Sequence, residues 1–255
     1  MNIHPTAIIK PGARLADDVC VEEYAYIGAH VCLGSGCVVH HHATIDGNTV
    51  MGDNNIVHPY AYIGGLTQDL KYTSGNPGLK IGNNNVFREF CTMHVATKAE
   101  NCTLIGNYNN FLAYSHVAHD CIVGDHVIMS AQAALGGHVV VDDFANIGWS
   151  AGVHQFCRVG KYAIIGACCK AAQDIPPFML ADGNPAHVRY INIVNLERHG
   201  FGSDRIAQVK KIFKLFYMSG LNRQQALERL KNSHIDDELR TTMLEFASAS
   251  TRGFA

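Results

Sequence analysis

Residues 123–148 read VGDHVIMSAQAALGGHVVVDDFANIG. Every sixth residue is apolar: Val123, Met129, Leu135, Val141 and Ile147. Followed outward, the phase holds through Ile105, Phe111 and Val117 on one side and through Val153, Val159 and Ile165 on the other. The same step runs from Ile3 to Ile63, and Ile81, Phe87 and Met93 keep it in between. A hydrophobic content of 47% does not produce such a run by chance. The fourth residue after each apolar one is small, as at Ala133, Ala145, Ala151 and Ala163. The residue directly after it is often Gly, as at Gly28, Gly106, Gly124 and Gly148. Those glycines read as sites where the backbone turns with dihedrals that other residues resist. One large and one small inward residue per hexapeptide is the signature of a parallel β-helix.

The pattern resembles the left-handed β-helix family, in which three hexapeptides make one triangular coil. The left hand is what this resemblance implies, because the usual crossover preference is right-handed. A coil then takes 18 residues, and residues 18 apart stack at roughly 4.8 Å. Two stretches break the period. Gly65–Lys80, GLTQDLKYTSGNPGLK, is polar and rich in turn formers, and a second polar insertion lies near 98–104. Both read as loops on a rigid scaffold, where function concentrates. After Ile165 the repeat fades into the Pro-containing QDIPPFMLADGNPAH. From Ser203 the period becomes helical. Ser203 is expected to cap a first helix with Ile206, Val209, Ile212, Phe213, Phe216 and Tyr217 on one face, Asn222 a second, and Asp236 a third reaching about Ser248. The expected organisation is all-β, a parallel β-helix over 1–187, followed by a small α-helical domain over 188–255.

The chain has 255 residues and a net charge of −2, so its overall balance does not point to a nucleic-acid partner. No 18-residue apolar run suggests a membrane span, and the start MNIHPTAIIK lacks the features of a signal peptide. Nine cysteines include no C-x-x-C pair. Cys37, Cys91, Cys121, Cys157 and Cys169 fall on the small position of the repeat and read as buried thiols of a reducing, cytoplasmic protein.

Fifteen histidines are present, and surface or hydrogen-bonding duty is the ordinary reading for most of them. The 18-residue ruler singles out a few. Gly137 falls one coil above His119, and Gln155 two coils above; His138 falls one coil above Asp120; His154 falls two above Ala118. His116 begins the same edge, and His126 belongs to a different column and reads as surface. A polar cluster around Gly136 and Gly137 suits a small polar ligand. An imidazole beside a carboxylate suits general-base work, because it titrates near neutrality. A self-satisfied polar ladder and a metal-dependent hydratase are the competing readings. The histidine pair five apart that hydratases of this scaffold use is absent from the sequence.

The stretches HPTAII, IGGLTQDLKY, SHVAHDC, LGGHVVVDDFANIG, VHQFC, AQDIPP, RHGF and STRGFA span essentially the whole chain. Together they resemble the UDP-N-acetylglucosamine O-acyltransferase family of lipid A biosynthesis. The resemblance implies a homotrimer that moves an (R)-3-hydroxyacyl chain from acyl carrier protein to the 3-hydroxyl of UDP-N-acetylglucosamine, without cofactor or metal. It implies His119 as general base, Asp120 as its orienting carboxylate and the Gly137 N–H as oxyanion donor. It places Gln68, Asp69, Lys71, His94, His116, His138, His154, Gln155 and Arg198 in substrate binding. An acceptor with a 3-amino group is the alternative within the superfamily. Trp149 and Ala167, 18 residues apart, stand where the family sets acyl length, and a bulky Trp149 implies a shorter chain. Arg205, Lys210, Lys211 and Lys214 form a basic helical patch that by resemblance would recruit the acidic carrier.

Overall fold

The computed structural model describes residues 2–255. Very short strands, mostly two residues each, stack into three sheets of eleven, nine and eight strands. All strands but the last pair in parallel with one a full coil away, as Asn2 does with Cys20 and Ile122 with Val140. The first sheet contains Ile128–Met129, the second Ala134–Leu135 and the third Val140–Val141, so the chain visits them in turn. The apolar ladder fills the interior: Val117, Met129, Leu135 and Ile147 are almost entirely buried, as are Ala133, Ala145 and Ala163 beside them. At the first coil Ile3 is 37% exposed, because no coil lies beneath it.

The role read for the repeat glycines needs correction. Among them only Gly64 has a positive φ. The others are glycine for lack of space: a Cβ on Gly106 would sit 2.2 Å from the Asp125 carboxylate of the next coil, and one on Gly148 would sit 2.5 Å from the Ile165 carbonyl. The left-handed backbone falls two residues later, at Asp120, His126, His138, Phe144, Phe156 and Tyr162. A non-glycine residue there costs about 1–2 kcal/mol. Stacking of the side chains along each corner offsets this: His126–Phe144 ring centroids are 4.7 Å apart, Phe144–Tyr162 4.8 Å and His138–Phe156 4.6 Å. His126 is thus a member of an aromatic column, on a different corner from His119.

The two insertions leave the prism at one corner, between the second and third sheets. Strands Tyr62–Gly65 and Gly78–Ile81 bound the first, and Thr92–His94 and Cys102–Ile105 bound the second. The projecting residues are therefore 66–77, tighter than the composition suggested, and 95–101, of the expected length but three residues earlier in the chain. Gly65, Gly78, Cys102 and Leu104 carry enough ladder pairing to stay in the sheets. Across these insertions the stacking interval grows from 18 to 30 for Tyr62 against Thr92, and to 24 for Thr92 against His116.

The segment after Ile165 is more ordered than its prolines suggested. Met179–Asp182 joins the first sheet, and His187–Ile191 folds back antiparallel upon it. Four helices follow: α1 (Ile193–Arg198), α2 (Ser203–Tyr217), α3 (Arg223–Lys231) and α4 (Asp237–Ala249). The short α1 was not anticipated, since six residues give too little periodicity to read. Asn222 caps α3 through a complete capping box, and Asp236 caps α4. Ser203 does not cap α2. It is the first helical residue, behind an N-cap Gly202 that has no side chain to offer. Ile206, Val209, Ile212 and Phe213 bury the inner face of α2, joining Phe178 and Met179 in a second apolar cluster.

Candidate active site

His119 and Asp120 lie on the corner from which both loops project. His119 Nδ1 is 2.9 Å from Asp120 Oδ2, and the two side chains are 13% and 6% exposed. The loops supply the remaining partners. The Thr97 N–H donates to Asp120 Oδ2 at 3.0 Å, and Asn101 Nδ2 to Asp120 Oδ1 at 3.3 Å. Thr97 Oγ1 sits 3.0 Å from His119 Nδ1 and 3.1 Å from Thr67 Oγ1. Thr67 in turn accepts from the Asp69 N–H. Burial alone would raise the Asp120 pKa. The hydrogen bonds from His119, Thr97 and Asn101 outweigh it and hold the carboxyl below its ordinary value. Asp120 is therefore an anion at neutral pH, oriented on the Nδ1 side of the imidazole.

The ring itself lies against Gly137. A Cβ there would lie 2.4 Å from His119 Cε1 and 2.6 Å from Nε2, so only glycine lets the imidazole rest against this backbone. The Gly137 N–H has no hydrogen-bond partner among the described residues. His138 stands edge-on to His119 with ring centroids 5.3 Å apart, and its own ring is held by stacking on Phe156. His154 and Gln155, both exposed, occupy the next coil of this corner, where Gln155 packs over Gly136. The ruler thus placed His119, Asp120, Gly137, His138, His154 and Gln155 together correctly.

A cavity of about 550 Å³ opens beside these groups, lined by Asp69, Lys71, Thr97, Asp120, His138 and Phe156 among others. Asp69 and Lys71 do not form the surface ion pair that their spacing allows. The Lys71 backbone N–H donates to Asp69 Oδ1 at 3.0 Å, and the exposed Lys71 side chain makes no ion pair among the described residues. Gln68 is exposed on the same loop. Donor atoms of His119, Asp120 and His138 lie within 4.8 Å of one another, so these three are the residues that could converge on a cation. Asp120 Oδ2 already carries the Thr97 and His119 contacts, so the carboxylate is hydrogen-bonded without one.

His94 and His116 sit beneath the site on the second sheet, with ring centroids 4.8 Å apart. His116 Nδ1 is 2.8 Å from Thr92 Oγ1. His94 is buried and its Nδ1 has no partner among the described residues. Burial, then the neighbouring His116 and His119, push the His94 pKa down from 6.5 to about 4. The unfolded chain therefore takes up this proton first. The stability that neutral His94 contributes is complete above about pH 6.5 and is lost as pH falls toward 4. By pH 5 the loss is roughly 2 kcal/mol. Replacing His94 by Gln is expected to shrink the drop in thermal midpoint between pH 7 and pH 5. Melting curves at the two pH values check this.

Arg198 does not join the cluster within one chain. It is exposed in the last turn of α1. That helix is tied to the His126 corner by Asn195 Nδ2 on the Phe144 carbonyl at 2.7 Å, and by the His199 ring 4.7 Å from Phe144. Trp149 and Ala167 lie on the third corner, between the first and second sheets. There the Cys168 N–H bonds to the Trp149 carbonyl, and Trp149 is 53% exposed. Among the helices, Arg205 is occupied by Glu238 at 2.7 Å and leaves the basic patch. Lys211 and Lys214 line a groove of about 710 Å³ with Arg229 and His234. Thr67, Thr97 and Asn101 were missed by sequence reasoning, because they lie on irregular loops to which the 18-residue ruler does not apply.

A family model described as UDP-N-acetylglucosamine O-acyltransferase, domain 2, matches residues 174–255. The acyl-[acyl-carrier-protein]--UDP-N-acetylglucosamine O-acyltransferase of Saccharophagus degradans is 45% identical over 252 residues, 98% of each chain. That of Paracidovorax citrulli is 42% identical, over 100% of this chain and 99% of the relative. The UDP-N-acetylglucosamine O-acyltransferase structure from Moraxella catarrhalis superposes with a TM-score of 0.96 at 34% identity, covering 100% of this chain and 99% of that one. With the likeness to these enzymes the coil is a left-handed β-helix. The chain belongs to the UDP-N-acetylglucosamine O-acyltransferase family.

Proposed function

We propose that this chain transfers an (R)-3-hydroxyacyl group from acyl carrier protein to the 3-hydroxyl of UDP-N-acetylglucosamine, the first step of lipid A synthesis, in the cytoplasm. The observation that carries the mechanism is the His119 ring, held by Asp120 at Nδ1 and resting against the Gly137 backbone. With the carboxylate on Nδ1, the Nε2 lone pair is the basic site. It takes the proton of the sugar 3-hydroxyl as that oxygen attacks the thioester carbonyl. The free Gly137 N–H suits the developing oxyanion. When the C–S bond breaks, His119 returns the proton to the departing thiolate. The anionic Asp120 stabilises the imidazolium formed in between. His138 and Lys71 flank the cavity as hydrogen-bond and charge donors to the acceptor sugar, with Asp69 and Gln68 contributing from the loop.

The separation of Arg198 from the His119 corner supports a homotrimer. A cation on one corner completes a site on another only if a second copy supplies it, and a guanidinium suits phosphate. The acyl chain would cross the second sheet, where Ala134 and Gly152 present little bulk, toward Trp149 and Ala167. Trp149→Gly is expected to shift preference toward a longer chain, as judged by relative kcat/KM across a series of 3-hydroxyacyl carrier proteins. Unchanged preference would remove Trp149 from the acyl path. The groove of Lys211, Lys214 and Arg229 suits an acidic carrier protein. An acyl-transfer assay with UDP-N-acetylglucosamine and that carrier series tests the function directly. Absence of product with every member would overturn it.

A further inference from the structure

The last residues of the chain, Ser250 to Ala255, form a strap laid back across the prism. Its anchor is Asp174, which is fully buried. Asp174 Oδ2 accepts from Ser250 Oγ at 2.6 Å and from the Arg252 N–H at 3.4 Å. Its Oδ1 accepts from the Arg158 N–H at 2.7 Å. The backbones also pair: the Asp174 N–H donates to the Gly253 carbonyl at 2.8 Å, and the Ala255 N–H to the Asp174 carbonyl at 3.0 Å. Burying a carboxylate is costly unless its lone pairs are filled, and here a chain terminus fills them. The result is a fixed path for a segment that is ordinarily frayed.

That path ends one side chain at the site. Arg252 Nη2 lies 3.3 Å from His154 Nδ1, on the coil directly above Gly137 and His138. A guanidinium only donates, so as a hydrogen bond this contact has Nδ1 accepting. The Gln155 carbonyl, 3.1 Å from the same nitrogen, is then a close neighbour and not an acceptor. Arg252 is exposed and makes no ion pair among the described residues, its one other side-chain partner being the Cys157 thiol. A solvent-facing guanidinium with no carboxylate partner, held one coil above Gly137, is a donor for an anion. Both substrates of the proposed reaction carry phosphate, one as the nucleotide diphosphate and one on the carrier's phosphopantetheine.

We infer that Arg252, delivered by the Asp174-anchored strap and paired with His154, is a phosphate-binding residue of the acyl-transfer site. This rests on the acyltransferase reading given above. Steady-state kinetics of the full-length protein test it, with UDP-N-acetylglucosamine and 3-hydroxyacyl carrier protein varied separately. Arg252→Gln is expected to raise KM for one or both phosphate-bearing substrates by about tenfold, with kcat little changed. A rise for the nucleotide sugar assigns the diphosphate, and a rise for the carrier assigns the phosphopantetheine phosphate. Arg252→Lys keeps the charge and should restore most of the loss. Unchanged KM values for both substrates would overturn the inference. So would a rise that Lys fails to relieve and that comes with a lowered thermal midpoint, because that marks a structural role. A wild-type protein that acylates no UDP-N-acetylglucosamine would instead remove the acyltransferase reading itself.

Discussion

His119→Ala should lower kcat for acyl transfer by about 10³-fold while leaving the fold in place. A positioned general base contributes on the order of 10² to 10⁴ in rate. Here both acceptance of the sugar proton and its return to the thiolate pass through one ring, so the upper half of that range is expected. The fold should survive because Asp120 keeps the Thr97 and Asn101 hydrogen bonds when the imidazole is gone. The apolar ladder behind it, Val117 and Val123, is untouched. Initial rates at saturating substrates, with a melting curve beside them, check both halves. Undiminished turnover would exclude His119 as the base, whatever its neighbours suggest.

Gly137→Ala is the second large effect, and it adds a single methyl group. The new Cβ would fall 2.4 Å from Cε1 of His119 and 2.6 Å from Nε2, far inside contact distance. The ring must rotate away, since the Gly137 side of the contact is backbone held in the coil by the Phe156 N–H on the Gly137 carbonyl. Rotation breaks the 2.9 Å contact with Asp120 and carries Nε2 out of line with the acceptor hydroxyl. A loss of about 10²-fold or more in kcat is expected, comparable to removing an oxyanion donor. Gly202→Ala provides the contrast, because a Cβ there meets nothing within 4 Å. It should leave turnover near the wild-type value. If Gly137→Ala also does, the His119 ring does not rest where the catalytic reading needs it.

The repeat glycines show how a correct pattern can carry a wrong cause. Gly28, Gly106, Gly124 and Gly148 were legible as a rule of the sequence, and a turning backbone was the natural explanation. The left-handed dihedrals belong instead to non-glycine residues such as Asp120, His138 and Phe156, of which only the aromatic ones are rare there. Side-chain stacking between coils makes those choices tolerable, and that interaction exists only once coils are stacked. The same stacking fixes the orientation of His138.

What the sequence by itself determined is whatever repeats. The six-residue period dictates which side chains face inward, and the constant 18-residue coil turns sequence separation into distance. That arithmetic alone places His119, Asp120, Gly137, His138, His154 and Gln155 at one corner. Only the tertiary structure decided what lies off the repeat. Thr67, Thr97 and Asn101 complete the His119–Asp120 network from loops that lengthen two coils to intervals of 30 and 24. Arg198 rides on a six-residue helix at another corner, and Arg252 reaches His154 from 98 residues away along the chain. The physical reason is the same in each case. Inside the prism, neighbouring coils force one geometry on every residue of the ladder, whereas loops and tails are held by individual hydrogen bonds whose partners no local pattern announces.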